Sequence, residues 1–165
     1  MEKVYLFAPG NSERKIQKAL SINSDAIIID LEDAVVAEEK EKAREIVCSI
    51  LNNEELERIK SKIYVRVNSI KTPWFFDDIN AIKNLHRLDG IMIPKSEDKT
   101  SIILATDLIN REIEILPLIE SAAGVSNIKE VLSSHRYVKK VAFGSVDFAL
   151  DLGVDWSEKG IERTY

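Results

Sequence analysis

Seven side chains stand where short apolar runs turn polar: Asp30, Glu32, Asp33, Arg66, Lys95, Glu120 and Asp147. The runs are Ala26-Ile-Ile-Ile-Asp30, Ile63-Tyr-Val-Arg66, Ile91-Met-Ile-Pro-Lys95, Leu116-Pro-Leu-Ile-Glu120 and Val141-Ala-Phe-Gly-Ser-Val-Asp147. Glu120 and Asp147 offer hard oxygen ligands. Two carboxylates, with water and substrate completing the shell, are how a protein commonly holds Mg²⁺. Either acid alone reads equally well as a strand-end carboxylate capping the next helix; the pair together with Arg66 favours a site. An arginine among Val and Ile is costly to bury unless paired. Its planar fork suits a substrate carboxylate or carbonyl oxygen, or an ion pair with Asp30 or Glu32. Asp30, Glu32 and Asp33 could orient Arg66 and metal-bound waters from behind. Lys95 could pair with the same acids, and that structural role ranks above catalysis. The backbone N–H groups of Ala122, Ala123 and Gly124 open a helix and could receive a substrate carboxylate.

The elements that must position these groups alternate strictly. Apolar strands are expected at Val4–Ala8, Ala26–Asp30, Ile63–Asn68, Ile91–Lys95, Ile113–Glu120 and Val138–Gly144, each followed by a helical pattern. Ala43, Ile46, Val47, Ile50 and Leu51 share one face of the longest helix, and the charged run Glu38–Lys42 reads as its solvated face. Thr72-Pro73 has the form of a cap followed by proline at the first helical position. Residues two apart in a strand share a face. That places Leu116, Leu118 and Glu120 together, Tyr64, Arg66 and Asn68 together, Ile91, Ile93 and Lys95 together, and Val141, Phe143, Ser145 and Asp147 together.

Alternating strand–helix units imply a parallel sheet, either an open doubly wound sheet or a closed (β/α)8 barrel. No Gly-x-Gly-x-x-Gly follows the first strand, which disfavours a dinucleotide-binding sheet. Polar groups at nearly every strand tip favour the barrel, whose chemistry is spread around one face. The fold class expected is therefore α/β, a TIM-type barrel truncated after about six βα units, since complete barrels need at least about 200 residues. Residues 1–165 read as a single partial barrel domain.

The chain has 165 residues and a net charge of −5, which gives no reason to expect nucleic acid as a partner. No apolar run approaches the ~20 residues that cross a bilayer, so neither membrane insertion nor a signal layout is expected and the cytoplasm is the default location. Cys48 is the single cysteine and reads as a small, half-buried thiol. His86 and His135 sit in polar contexts without ligand spacing and receive no catalytic role.

Several blocks occur in a fixed order: Leu6-Phe-Ala-Pro-Gly-Asn11, Ile29-Asp-Leu-Glu-Asp-Ala-Val35, Val65-Arg-Val-Asn68, Thr72-Pro-Trp74, Ile93-Pro-Lys95, Leu118-Ile-Glu120 and Ala142-Phe-Gly-Ser-Val-Asp-Phe148. In these the chain resembles the citrate lyase β-subunit (citryl lyase) and its CitE-like relatives in the HpcH/HpaI aldolase superfamily. The resemblance implies a TIM barrel, assembled as a homo-oligomer (trimer or hexamer), with Mg²⁺ at the strand ends. It implies cleavage of a 3-hydroxy-acyl thioester: citryl-CoA or a citryl acyl-carrier protein gives oxaloacetate and an acetyl thioester. Glu120 and Asp147 match the metal ligands, Arg66 the substrate-binding arginine, and Asp30, Glu32 and Asp33 the supporting acids. Other citrate lyase subunits are possible partners. The chain stops where such proteins continue into two further βα units. Malyl-CoA or citramalyl-CoA cleavage, thioester hydrolysis, or a catalytically inactive barrel piece acting as a binding or assembly module remain alternatives.

Overall fold

The computed structural model describes residues 2–154. Six strands follow one another in sequence order and pair in parallel throughout: β1 (Tyr5–Pro9), β2 (Ala26–Asp30), β3 (Lys62–Arg66), β4 (Gly90–Ile93), β5 (Glu114–Ile119) and β6 (Ala142–Phe143). Between them lie α1 (Glu13–Leu20), α2 (Lys40–Leu51), α3 (Phe75–Ile82), α4 (Thr100–Ile109), and the short α5 (Ala122–Ser126) and α6 (Ile128–Ser133); α7 (Ser145–Leu152) follows β6. The expected truncated barrel is what forms. The sheet curls so that β1 and β6 are its two edges. Among the described residues no helix is long and apolar enough to cross a membrane.

The strands read as continuous apolar runs because both of their faces are covered. One set, Ile27, Ile29, Ile63, Val65, Ile91, Ile93, Ile115 and Ile119, packs outward against Ile16, Val47, Ile79, Ile82 and Ile102 of the helices. The alternate set, Ala26, Ile28, Tyr64, Met92, Leu116 and Leu118, fills the concave side with Tyr5 and Ala142 against it. Gly90 is glycine for a packing reason. The Tyr64 ring lies 2.3 Å from where a β-carbon would stand, so any side chain there would displace the ring. At the N-terminal ends of the strands a ring of alternating charges closes the concave side. Lys62 bridges Glu2 (2.7 Å) and Glu114 (3.0 Å), and Lys140 bridges Glu114 (2.8 Å) and returns to Glu2.

Local expectations fail at four points. The sixth strand is only two residues long, and Val138 makes a lone parallel bridge to Ile115 instead of starting it. The helix after β5 is broken into α5 and α6 at Asn127. Thr72 does not cap α3. Its hydroxyl donates to the Ser69 carbonyl at 2.7 Å, and Trp74 holds the cap position. Lys40 is not solvated: it is 5% exposed, beneath the loop that follows β2.

Candidate functional site

At the C-terminal ends of the strands, Asp30 is the first organiser. Its carboxylate accepts the N–H groups of Glu32 (2.8 Å) and Ala34 (3.0 Å), which folds the Asp30–Asp33 segment into a tight turn. The same two oxygens take the Arg66 guanidinium side-on, Nε to Oδ1 at 2.7 Å and one terminal nitrogen to Oδ2 at 2.6 Å. Register explains the meeting, since Asp30 and Arg66 are direct partners across β2 and β3. The other terminal nitrogen of Arg66 lies 3.1 Å from Glu32 Oε2 and 3.7 Å from Asp33. Glu32 Oε2 is nonetheless buried without a hydrogen bond, because the approach of Arg66 has ion-pair distance but not hydrogen-bond direction. Burial pushes the Glu32 carboxyl up to about 7, against the pull of Arg66. Phe7 of β1 lies over the guanidinium, 5.4 Å from its carbon to the ring centre.

Glu120 follows the last residue of β5 and is 4% exposed. Its Oε1 accepts the Lys95 N–H at 2.8 Å. That N–H is presented by a left-handed backbone at Lys95, φ 50°, a conformation unusual for a residue with a β-carbon. The Lys95 ammonium reaches Glu32 Oε1 at 3.5 Å, so one residue touches both buried acids. Face alternation does not carry it there. Ile91 and Ile93 point outward into the helices, β4 ends at Ile93, and the turn at Lys95 brings it back.

Gly144 makes room for Glu120. A β-carbon on Gly144 would stand 2.8 Å from both Cβ and Oε2 of Glu120. Beyond it, Asp147 sits in the first turn of α7, not at the tip of a strand as expected, and it lines the same cavity as Glu120, close enough for its carboxyl to raise that of Glu120. Burial holds the Glu120 carboxyl well above the usual carboxylate range, and the neighbouring Glu32 and Asp147 carboxyls add to it.

Arg66, Glu120 and Asp147 all line one cavity of about 650 Å³ on the concave side, walled by Phe7, Ile28, Met92, Leu116 and Leu118. The donor set fits a hard divalent cation. Two carboxyl groups lie together, one of them desolvated, and a cation between them would relieve the cost of ionising both. Among the described residues no cluster of three or more acidic, histidine or cysteine side chains is arranged around a metal position. Glu120 and Asp147 would offer such a cation two carboxylates, as Mg²⁺ sites often have.

Other expected groups do not converge on this cavity. The Ala122 N–H is taken by Asp151 of α7 at 2.8 Å, and the Gly124 N–H by the Ser121 hydroxyl at 3.1 Å. Gly124 is also buried and Ala123 lies on the exposed side of the same short helix, so these three amides form no carboxylate cradle. Asn68 turns away from Arg66 and bonds Asp78 and the Leu31 carbonyl instead, because β3 ends at Arg66 and its alternation stops there. Cys48 is half-buried beside the Ala81 carbonyl, with its thiol pKa raised by burial.

Comparison with known proteins agrees with this architecture. The family model described as HpcH/HpaI aldolase/citrate lyase matches residues 3–165. A (3S)-malyl-CoA thioesterase of Cereibacter sphaeroides is 35% identical over 147 residues, covering 89% of this chain and 50% of that protein. A citrate lyase subunit beta-like protein of Deinococcus radiodurans is 33% identical over 168 residues, covering 97% of this chain and 57% of that one. The chain thus spans about half the length of the curated relatives it matches. Among solved structures, the CitE protein of Mycobacterium tuberculosis in complex with magnesium, acetoacetate and coenzyme A superposes with a TM-score of 0.76 at 24% identity, over 94% of this chain and 54% of that one.

Proposed function

The chain belongs to the HpcH/HpaI aldolase/citrate lyase family, and from that premise we propose that it carries the substrate-facing half of a Mg²⁺-dependent carbon–carbon lyase. The substrate class is a 3-hydroxy-acyl thioester, citryl-CoA or a citryl acyl-carrier protein first, cleaved to a 2-oxo acid and an acetyl thioester. The observation that carries this reading is the meeting of Arg66, Glu120 and Asp147 on one cavity, although 81 positions separate Arg66 from Asp147 in sequence.

Glu120 and Asp147 would hold the Mg²⁺. When bound, the ion supplies Lewis-acid polarisation of the oxygen that becomes the ketone. Arg66 supplies positive charge toward developing negative oxygen in a site walled by apolar side chains, where such charge acts more strongly than in water. Asp30 fixes its orientation by holding two of the three guanidinium nitrogens, and the third lies against Glu32, so the fork is set in place before any substrate arrives. Lys95 fixes Glu120 through its N–H and Glu32 through its ammonium. The apolar wall of Ile28, Met92, Leu116 and Leu118 would limit the contact of the reacting carbons with water on that side.

A second reading is thioester hydrolysis or malyl-type cleavage. It is favoured by the 35% identity to a protein named (3S)-malyl-CoA thioesterase. One experiment separates these. Citryl-CoA and malyl-CoA are incubated with this chain with and without Mg²⁺, and the products are identified. Lyase action gives acetyl-CoA and a 2-oxo acid; hydrolysis gives free CoA. Glu120→Ala and Asp147→Ala should abolish Mg²⁺-dependent turnover while leaving the circular dichroism spectrum unchanged. Unaltered turnover in either variant would remove the metal-site reading.

A further inference from the structure

Beneath the acidic turn, on its far side from the cavity, lies a second buried polar cluster. Its centre is Lys40, in the first turn of α2 and 5% exposed. The ammonium donates to the carbonyl oxygens of Leu31 (2.6 Å) and Glu32 (2.7 Å) and to Asn68 Oδ1 (2.7 Å). An ammonium has three hydrogens, and all three are spent. The Trp74 ring covers it at 5.2 Å. Asn68 in turn donates its side-chain amide to the Leu31 carbonyl (2.9 Å) and to Asp78 Oδ2 (2.7 Å), while its backbone N–H also reaches Asp78 Oδ2 (2.8 Å). Asp78 is fully buried in α3 and is paired through Oδ1 with Arg44 of α2 at 3.1 Å.

Every acceptor of the Lys40 ammonium is a neutral oxygen, and two of them are backbone carbonyls of the very residues that aim Glu32 at Arg66. A salt bridge for stability alone has no need of that choice. The arrangement is that of a built-in cation drawing two successive carbonyls to one point. It thereby sets the direction of the Glu32 side chain. From the cavity side Asp30 holds the same turn through the N–H groups of Glu32 and Ala34. The turn is gripped on both faces, by a carboxylate above and an ammonium below.

We propose that Lys40 is a positioning residue of the site. It touches no substrate and acts by fixing the 31–35 turn, so that Glu32 stays aligned with Arg66 and Lys95. Without it, Asn68 Oδ1 loses its donor, and the Leu31 and Glu32 carbonyls are no longer drawn to one point, keeping only the Asn68 amide and the Val35 N–H. Arginine is a poor replacement, because its planar fork cannot serve three oxygens that converge on one point.

Hydrogen exchange of the whole chain tests the claim without reference to any reaction. In Lys40→Met, amides of residues 31–35 should exchange at least about tenfold faster than in wild type, while those of β5 change far less; a uniform change, or none, overturns the proposal. If Lys40→Met does not fold, Lys40→Arg is read by the same criterion. A second arm rests on the lyase reading given above. Glu32→Gln and Lys40→Arg should each lower kcat about tenfold, the scale of lost support behind a site residue, and the double variant should be no slower than Glu32→Gln alone. Multiplied losses, or a Glu32→Gln enzyme as fast as wild type, overturn action through Glu32. A wild-type chain that cleaves no thioester would count against the lyase reading, and the exchange arm would still decide the role of Lys40.

Discussion

A methyl group on Gly144 would stand 2.8 Å from Cβ and Oε2 of Glu120, closer than carbon atoms tolerate. The backbone there, φ −98° and ψ 89°, is open to alanine, so a Gly144→Ala chain should fold and move only what the methyl touches. The carboxylate can rotate away, but its Cβ cannot. We expect Mg²⁺-dependent turnover to fall about 10–100-fold, as when the support of a metal ligand is disturbed. Melting should shift little. A magnesium titration of activity reads the effect, and a wild-type titration curve would show that Glu120 does not need the space. Arg66 was legible in the sequence, because a guanidinium among Val and Ile demands a partner, and Asp30 supplies one with both oxygens. Lys95 was legible only as a charge near acids. The left-handed turn that lets one residue hold both Glu32 and Glu120 has no sequence signal in a residue that is neither glycine nor asparagine.

Among the elements, the strand order follows from alternation, but two placements needed coordinates. Lys40 falls on the Ala43–Val47–Ile50 stripe of α2, so its helical phase already put it on the buried face. Its charge argued for solvent, and phase was the better guide because three acceptors were waiting for it. Asp147 belongs to a helix rather than a strand tip, so its position depends on how α7 docks. One contact ties that helix down: Asp151, one turn further along, accepts the N–H of Ala122 at the start of α5. Asp151→Ala should cost about 1 kcal/mol, the scale of a lost acceptor at a helix start. It should also speed amide exchange in α7 and weaken Mg²⁺ dependence several-fold, although Asp151 lines no part of the cavity. Exchange in α7 equal to wild type would show that the helix is held by its apolar contacts alone.

At the scale of the whole molecule, the curl of six strands must be held at both ends. The upper end is held by the Asp30–Arg66 pair and the lower end by the ring of Glu2, Lys62, Glu114 and Lys140. Nothing in the sequence marked that ring, since its members look like ordinary strand-flanking charges 138 positions apart at the extremes. The ring joins the lead-in of β1 to that of β6, the two edges that make no strand pair with each other. Both glutamates are held below the ordinary carboxylate range. At Glu2 the hydrogen bond from Lys140 is the main cause, followed by that from Lys62; at Glu114 burial pushes upward, and the hydrogen bonds from the same lysines outweigh it. A depressed folded pKa gives stability that is fully present above the unfolded value, about 4.3 for glutamate, and that disappears as pH falls through the folded values. Glu32 and Glu120, raised by burial, act in the opposite sense until both are protonated in the folded and unfolded chain alike, so urea unfolding of the wild-type chain should show ΔG falling steadily below about pH 4. Lys140→Met removes one cation from both glutamates. The side chains of Lys140, Glu2 and Glu114 are only 24%, 15% and 17% exposed, so the loss at pH 7 should exceed that of a surface pair and reach roughly 1–3 kcal/mol. The slope below about pH 4 should flatten at the same time, because the two carboxyls then titrate nearer their unfolded values. Wild-type and variant curves that run parallel through the acid range would mean that the ring does not set the acid stability of the curl, and that the core packing alone holds it.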